Sequence, residues 1–457
     1  MKNDKKARLI EGPVGKTLIK LTIPMIFGII SMVTFNLADT FFVGRLGTLE
    51  LAALSFTFPV VLVIQSLAMG LGIGASAVIS RAIGEGNHDQ VKRLTTDSLV
   101  LSVLLVAFFA ILGMLTIEPL FRLLGATPQI LPLIKQYMRI WYLGVIFVIV
   151  PMVGNNAIRA SGDTKTPGMI MMTAAGINLI MDPILIFGFG PFPRLEITGA
   201  ALATVFGRAI TLVLSLVVLI RREKMITFTL VPIKTMLNSW KQILYIGLPT
   251  AGTRIVIPLG MGVITRIIAA YGPESVAGFG VCTRIEFFAI AVVMALASVI
   301  GPFAGQNWGA GKIERVQLGL RYSKQFSMGW GLFLLILLSF LAKPIVSVFN
   351  NNPKVISSAV LYLRIVPLAY GLQGVLIVSA SVLNVLKKPL HAASLSVLQM
   401  FFLYIPLAYA GSALIGLPGI FTAIAVSYLI AGTLAHFILG KMIITEQNPR
   451  IKIVMSE

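Results

Sequence analysis

The sequence predicts an all-α integral membrane protein with twelve membrane-crossing helices in two six-helix bundles. Three observations lead there: the composition, a series of twelve apolar segments, and an internal repeat. The chain has 457 residues, of which 57% are hydrophobic and 12% charged. That is about half the charged fraction of an average soluble domain. A helix needs about 20 mostly apolar residues to cross a bilayer. Segments that meet this requirement lie near 17–43, 52–80, 96–116, 137–160, 167–189, 197–220, 242–268, 276–301, 323–346, 357–384, 392–412 and 415–440. They leave nothing sizeable for a separate soluble domain.

Taken in order, the chain opens with MKNDKKARLIEGPVGK, a basic segment over 1–16. The apolar run behind it is too long for a secretory leader and lacks a small-residue cleavage site at the right distance, so the segment is expected to be retained. Spans 1–6 form an expected N-lobe over 17–220, and the basic, less apolar stretch 221–241 an expected linker. Spans 7–12 form a C-lobe over 242–440, followed by a tail over 441–457. The net charge is +20. Most of the basic residues, among them Lys5, Lys6, Arg81, Lys92, Arg93, Arg159, Arg221, Arg222, Lys312, Lys387 and Lys388, fall on one side of this arrangement. The opposite side holds few, among them Arg45, Arg122, Arg194 and Lys354. The positive-inside rule places both termini in the cytoplasm of a cell whose inner (plasma) membrane holds the protein. The charge is thus a topology signal. The lipid bilayer is the expected partner, nucleic acid is not, and a monomer is expected. Cys282 is the only cysteine, so no intramolecular disulfide is possible.

The chain repeats itself at an offset of 225 residues, with Pro24 facing Pro249, Gly47 facing Gly272, and Gly84 and Gly86 facing Gly309 and Gly311. Tyr137 and Arg139 likewise face Tyr362 and Arg364. Farther on the offset drifts, and Pro167 matches Pro389. Each half therefore carries six helices in the same order and orientation. Parallel repeats of six helices are a transporter architecture, two bundles about an axis along the membrane normal. The expected shape is a V with a central cavity.

The halves share their Pro and Gly residues but not their polar ones. In span 1, FNLADTFFVG holds Asn36 and Asp39, opposite Met261 and Ile264. In span 5, TAAGINLIMDPILIFG holds Asn178 and Asp182, opposite Phe401 and Ile405. Four polar groups of one half are thus apolar in the other. Asn178 and Asp182 share a helix face by their i, i+4 spacing, as Asn36 and Asp39 do at i, i+3. Counting back from the span ends puts both carboxylates roughly 12 Å below the outer surface. An intramembrane carboxylate is by default a functional candidate. Two of them close together in a low-dielectric site cannot both ionise easily. A proton, or a sodium ion held by the oxygens of Asp39, Asn178 and Asp182, supplies the missing charge. The alternative is a purely structural hydrogen-bond cluster joining spans 1 and 5.

The remaining candidates have plainer readings. Arg254 and Glu286 fall near mid-membrane on spans 7 and 8, with Arg284 nearby; they form either a structural ion pair or a second charged site. Arg208 on span 6 reaches toward Asp182 or snorkels. GLGIG at 70–74 lies inside a helix with no flanking strand, which favours close helix packing over nucleotide binding. His88, His391 and His436 show no metal spacing, and no Walker A sequence is present. No enzyme activity, catalytic residue or cofactor is expected.

IPMIFGIISMVTFNLADTFFVGRLG in span 1, the paired segments RAIGEGN and GQNWGAGK after spans 2 and 8, and AIRASGDTKTPG at 157–168 resemble the multidrug and toxic compound extrusion (MATE) transporters. The resemblance covers essentially the whole chain, and the aspartate in span 1 resembles the DinF-like branch. It implies export of cationic, amphipathic drugs in exchange for protons or sodium. It assigns the central coupling role to Asp39, with Asn178 and Asp182 beside it, and maps a span-6 threonine of that cluster onto Thr204. It carries the proposed hinge of helix 1 onto Pro24, where a missing backbone hydrogen bond makes bending plausible. The competing expectation within the superfamily is a flippase for a lipid-linked precursor. Such a cavity should be cationic, whereas the candidates here are acidic.

Overall fold

The computed structural model describes residues 9–189, 191–229 and 231–447; the side chains of Asn36, Leu37, Thr48, Thr445, Glu446 and Gln447 are also outside the description. Among the described residues all regular structure is helical. Eleven helices are long and apolar enough to cross a membrane, and a bent helix pair makes a twelfth span.

Spans 1–3 are α1 (Val14–Gly44), α2 (Thr48–Gly84) and α3 (His88–Leu123). Each is longer than its apolar core. Asn87 accepts a hydrogen bond from the Gln90 amide to start α3, as an N-cap should. The turn before it uses Gly86 at φ +75°, and its repeat mate Gly311 has φ +72°, a left-handed conformation that glycine adopts without cost. Span 4 is broken into α4 (Leu131–Gly144) and α5 (Ile146–Ala160), which meet at 43°. The break lies beside Gly144, where an added Cβ would sit 2.2 Å from a methyl of Val205. Spans 5 and 6 are α6 (Lys165–Phe187) and α7 (Glu196–Val217), the latter running into a π-turn over Val218–Arg222.

In the second half, α8 (Ile233–Ala269), α9 (Pro273–Gly309) and α10 (Ile313–Ser347) are spans 7–9. The stretch expected as a linker over 221–241 is helical from Ile233 onward. Trp240 anchors this part, its Nε1 donating to the Asp97 carbonyl at 3.0 Å. Span 10 is α11 (Pro353–Ile365) and α12 (Tyr370–Val385), separated by a 3₁₀ turn over Val366–Ala369 that contains Pro367. The fourth helix of each half thus breaks at the same place in the repeat. Span 11 is α13 (Pro389–Val397), a π-stretch Leu398–Tyr404, and α14 (Ile405–Ile415). Its counterpart α6 is continuous. The halves therefore differ in backbone where they differ in polar side chains. Span 12 is α15 (Leu417–Gln447).

The chain forms two compact units. The first runs to Ala251 and includes Gly305–Lys312; the second holds Gly252–Ala304 and the residues from Ile313 on. In the first, α1 packs on α6, α6 on α7 and α2 on α5, around a core with Phe121, Ile134, Met138, Trp141 and Tyr142. GLGIG is a packing surface, as expected: Cβ atoms added at Gly70 and Gly74 would lie 2.3 and 2.4 Å from the carbonyl oxygens of Gly247 and Ile243. In the second unit α12 and α14 pack on α15, around Tyr362, Tyr404 and Phe421.

Candidate functional site

The candidate residues of the first unit stand on α1, α6 and α7. Small residues bring α1 and α6 together. A Cβ added at Gly28 would lie 3.1 Å from the Gly168 Cα, and one added at Gly168 would lie 2.7 Å from the Pro24 carbonyl oxygen. Pro24 sits inside α1, which is unbroken through it. One turn before it, the Leu21 carbonyl accepts a hydrogen bond from Thr164 Oγ1 at 2.8 Å. Thr164 belongs to AIRASGDTKTPG, so this segment docks on the proline region of α1. The same segment is pinned by charge. Asp163 accepts from the Thr166 amide at 3.1 Å and pairs with Arg222, whose Nη1 donates to Thr166 Oγ1 at 2.9 Å.

Farther along, Asn178 and Asp182 are fully buried. Asn178 Nδ2 donates to Asp182 Oδ1 at 3.0 Å. Among the described residues, Asp182 Oδ2, Asn178 Oδ1, Asp39 Oδ1 and Thr204 Oγ1 are buried without a hydrogen-bond partner. Asp39 and Asp182 lie close enough to interact electrostatically, and both interact with Tyr137 of α4. Thr204 is buried on α7, which approaches α6 through Gly207. Asn36 is on α1 one turn from Asp39, but its side chain lies outside the described residues. Buried polar atoms are normally satisfied, and leaving one unmade costs about 1–3 kcal/mol. Two carboxylates and an amide with unpaired oxygens form a set of acceptors, complementary to a proton or a cation.

Arg208 forms no ion pair with Asp182. Its guanidinium lies over the Phe35 ring, 4.7 Å from the centroid, and its Nε is buried without a partner.

In the second unit Glu286 is not paired with Arg254 or Arg284. It accepts hydrogen bonds from the hydroxyls of Tyr362 and Tyr428, the latter at 2.8 Å. The expected ion pair is thus replaced by phenol donors, which satisfy a carboxyl group without supplying positive charge. The sequence reading missed these tyrosines. The signal was present in the repeat, since Tyr362 is the mate of Tyr137, and each of the two stands near an acid. It also missed Asp163 and Arg222, which are far apart in the chain.

A chain with twelve apolar helical spans and buried, unpaired acceptor groups among them has the makings of a membrane transporter. The family profile MatE matches it twice, over residues 24–184 and 249–410, so the two matches start at the repeat mates Pro24 and Pro249. The chain belongs to the MATE family of transporters. It is 41% identical to the FAD transporter of Shewanella oneidensis, over 94% of this chain and 95% of that one. It is 26% identical to the probable multidrug resistance protein YpnP of Bacillus subtilis, over 93% and 94% of the two chains. Its fold matches the MATE transporter VcmN of Vibrio cholerae in the bent form, with TM-score 0.90, 32% identity, and 95% and 98% of the two chains covered. The family consists of transporters rather than enzymes.

Proposed function

We propose that this protein is a cation-driven exporter, coupled through Asp39 and Asp182, whose cargo is a flavin dinucleotide. The observation that carries the coupling is the pair of carboxylate oxygens buried without partners, Asp39 Oδ1 and Asp182 Oδ2. The cargo reading rests on the 41% identity with an FAD transporter over nearly the whole chain. The protein lies in the inner membrane with both termini in the cytoplasm, as the distribution of basic residues implies. Protons are the first coupling ion; sodium, with Asp39, Asn178 and Asp182 as oxygen ligands, is the second.

Protons reaching Asp39 and Asp182 from outside neutralise the acceptor set. Neutral side chains no longer repel one another, and α1 is free to bend at Pro24. Cargo leaves to the outside, and the protons are released to the cytoplasm on return. A gradient of one pH unit supplies about 1.4 kcal/mol per proton. The membrane potential adds about 2.3 kcal/mol per charge per 100 mV, and with the inside negative it pushes an anionic cargo outward.

Cationic, amphipathic drugs are the second reading. It is favoured by the acidic character of the cluster and by the relative named as a probable multidrug resistance protein. Proteoliposomes holding the purified protein separate the two. Efflux of FAD under an imposed pH gradient without sodium, lost in Asp39→Asn, supports the proposal. Efflux of ethidium with no movement of FAD overturns the cargo. Export under a sodium gradient alone replaces the proton as coupling ion.

A further inference from the structure

We propose that Arg208, parked on the ring of Phe35, is the group that binds the phosphate-bearing part of the cargo. The inference rests on the flavin dinucleotide reading above and names the residue that would recognise it.

Arg208 is a half-buried cation without a counter-charge among the described residues. Its Nε is shut off from solvent and has no hydrogen-bond partner. An arginine at a helix crossing ordinarily finds a carboxylate, because an unpaired buried charge is costly. Here two carboxylates stand in the same unit, yet among the described residues neither forms an ion pair with Arg208. The guanidinium rests instead on Phe35, 4.7 Å from the ring centroid. A guanidinium held over a ring face in this way keeps the edge formed by its two Nη groups free for in-plane acceptors, while Nε is enclosed. That edge matches two phosphate oxygens in a bidentate arrangement.

Its place in the fold supports a role beside the coupling acids. Phe35 precedes Asp39 by four residues on α1, and Arg208 follows Thr204 by four on α7. Each pair therefore shares one helix face, about one pitch of 5.4 Å apart. Because α1 and α7 are in contact and Arg208 meets Phe35, the stacked pair lies one turn from the level of Asp39 and Thr204. The same helix thus carries a coupling acid and the platform under the anion-binding arginine. Any bending of α1 about Pro24 moves Phe35 as well as Asp39. Cation uptake at the acid and loss of cargo at the arginine are then two results of one movement.

The chemistry sets the selectivity. FAD and FMN carry phosphate and riboflavin does not, although all three share the flavin ring. The test measures quenching of flavin fluorescence by purified protein for these three ligands, comparing wild type, Arg208→Gln and Arg208→Lys. Wild type is expected to bind FAD and FMN more tightly than riboflavin. In Arg208→Gln that preference should disappear, with the affinity for FAD falling about tenfold or more and that for riboflavin unchanged, as loss of a charge-assisted hydrogen bond implies. Arg208→Lys should keep part of the preference, since it retains the charge but not the fork. Unchanged FAD binding in Arg208→Gln, or an equal loss for all three ligands, overturns this inference and leaves the cargo reading standing. Wild-type protein that binds no flavin yet exports ethidium overturns the cargo reading and this inference with it.

Discussion

Asp39 and Asp182 share one deficit, a buried carboxylate oxygen with nothing to accept from. A structural cluster has no reason to keep two such groups, because an asparagine in either place would bring its own donor. That contrast gives a residue-level prediction. Asp39→Asn and Asp182→Asn should each fold, with equal or higher thermal stability in detergent, and each should lose gradient-driven export. Transport by both variants at wild-type rates would return the cluster to a structural role. Asn178 differs, since it donates to Asp182. Asn178→Ala should lose about 1 kcal/mol of stability with that bond and alter the pH profile of transport, read as initial rate against external pH. Legibility was uneven at this scale. Asp39, Asn178 and Asp182 stood out because their repeat mates are apolar. The stacking of Arg208 on Phe35 did not, since α1 and α7 meet only in the folded chain.

The contact of α1 with α6 is where an element-scale prediction belongs. Gly168 lies against the Pro24 carbonyl so closely that any side chain must push the helices apart. Gly168→Val should destabilise by about 1–3 kcal/mol through overpacking, seen as a lower unfolding temperature and slower export. Thr164→Val keeps the shape but removes the donor to Leu21, one turn before the proline. Its expected effect is a stability loss of about 1 kcal/mol from the lost inter-helix hydrogen bond, with a larger proportional change in transport rate than in cargo affinity. A variant with altered affinity and unchanged rate would speak against a hinge at Pro24. All twelve spans were legible as elements from apolar length alone. Their ends were not, because caps such as Asn87 and polar turns such as that from Ile233 to Trp240 extend helices beyond the apolar run.

The repeat has a consequence for the whole molecule. Gly84 and Gly309 are mates, and so are Arg81 and Gln306. A Cβ added at Gly84 would meet the Gln306 carbonyl oxygen at 2.1 Å, and one at Gly309 the Arg81 carbonyl oxygen at 2.2 Å. The ends of α2 and α9 therefore cross in a reciprocal contact, all of it within the first compact unit. Gln306 is fully buried there. It accepts from the Leu9 amide at 3.0 Å and donates to the Ala160 carbonyl at 2.7 Å, while Asn307 donates to the Leu9 carbonyl at 3.1 Å. Gln306→Leu should remove both of its buried hydrogen bonds and lower stability by roughly 2–4 kcal/mol. Thermal unfolding in detergent measures this directly, and a shift smaller than that of Asn178→Ala would show that the crossing carries little of the fold.

By itself the sequence determined the class of the protein, the number and order of its spans, the doubling of the chain, and the aspartates that distinguish one half from the other. These follow from local quantities, since apolar length and internal likeness are carried by contiguous residues. The tertiary structure decided which polar groups are paired. Glu286 is held by tyrosines rather than by an arginine, Asp163 meets Arg222, and Arg208 meets a ring instead of an acid. Pairing depends on which helix faces meet across the packed interior. A one-residue rotation of a helix turns its face by about 100°, and no local feature of the chain records that choice.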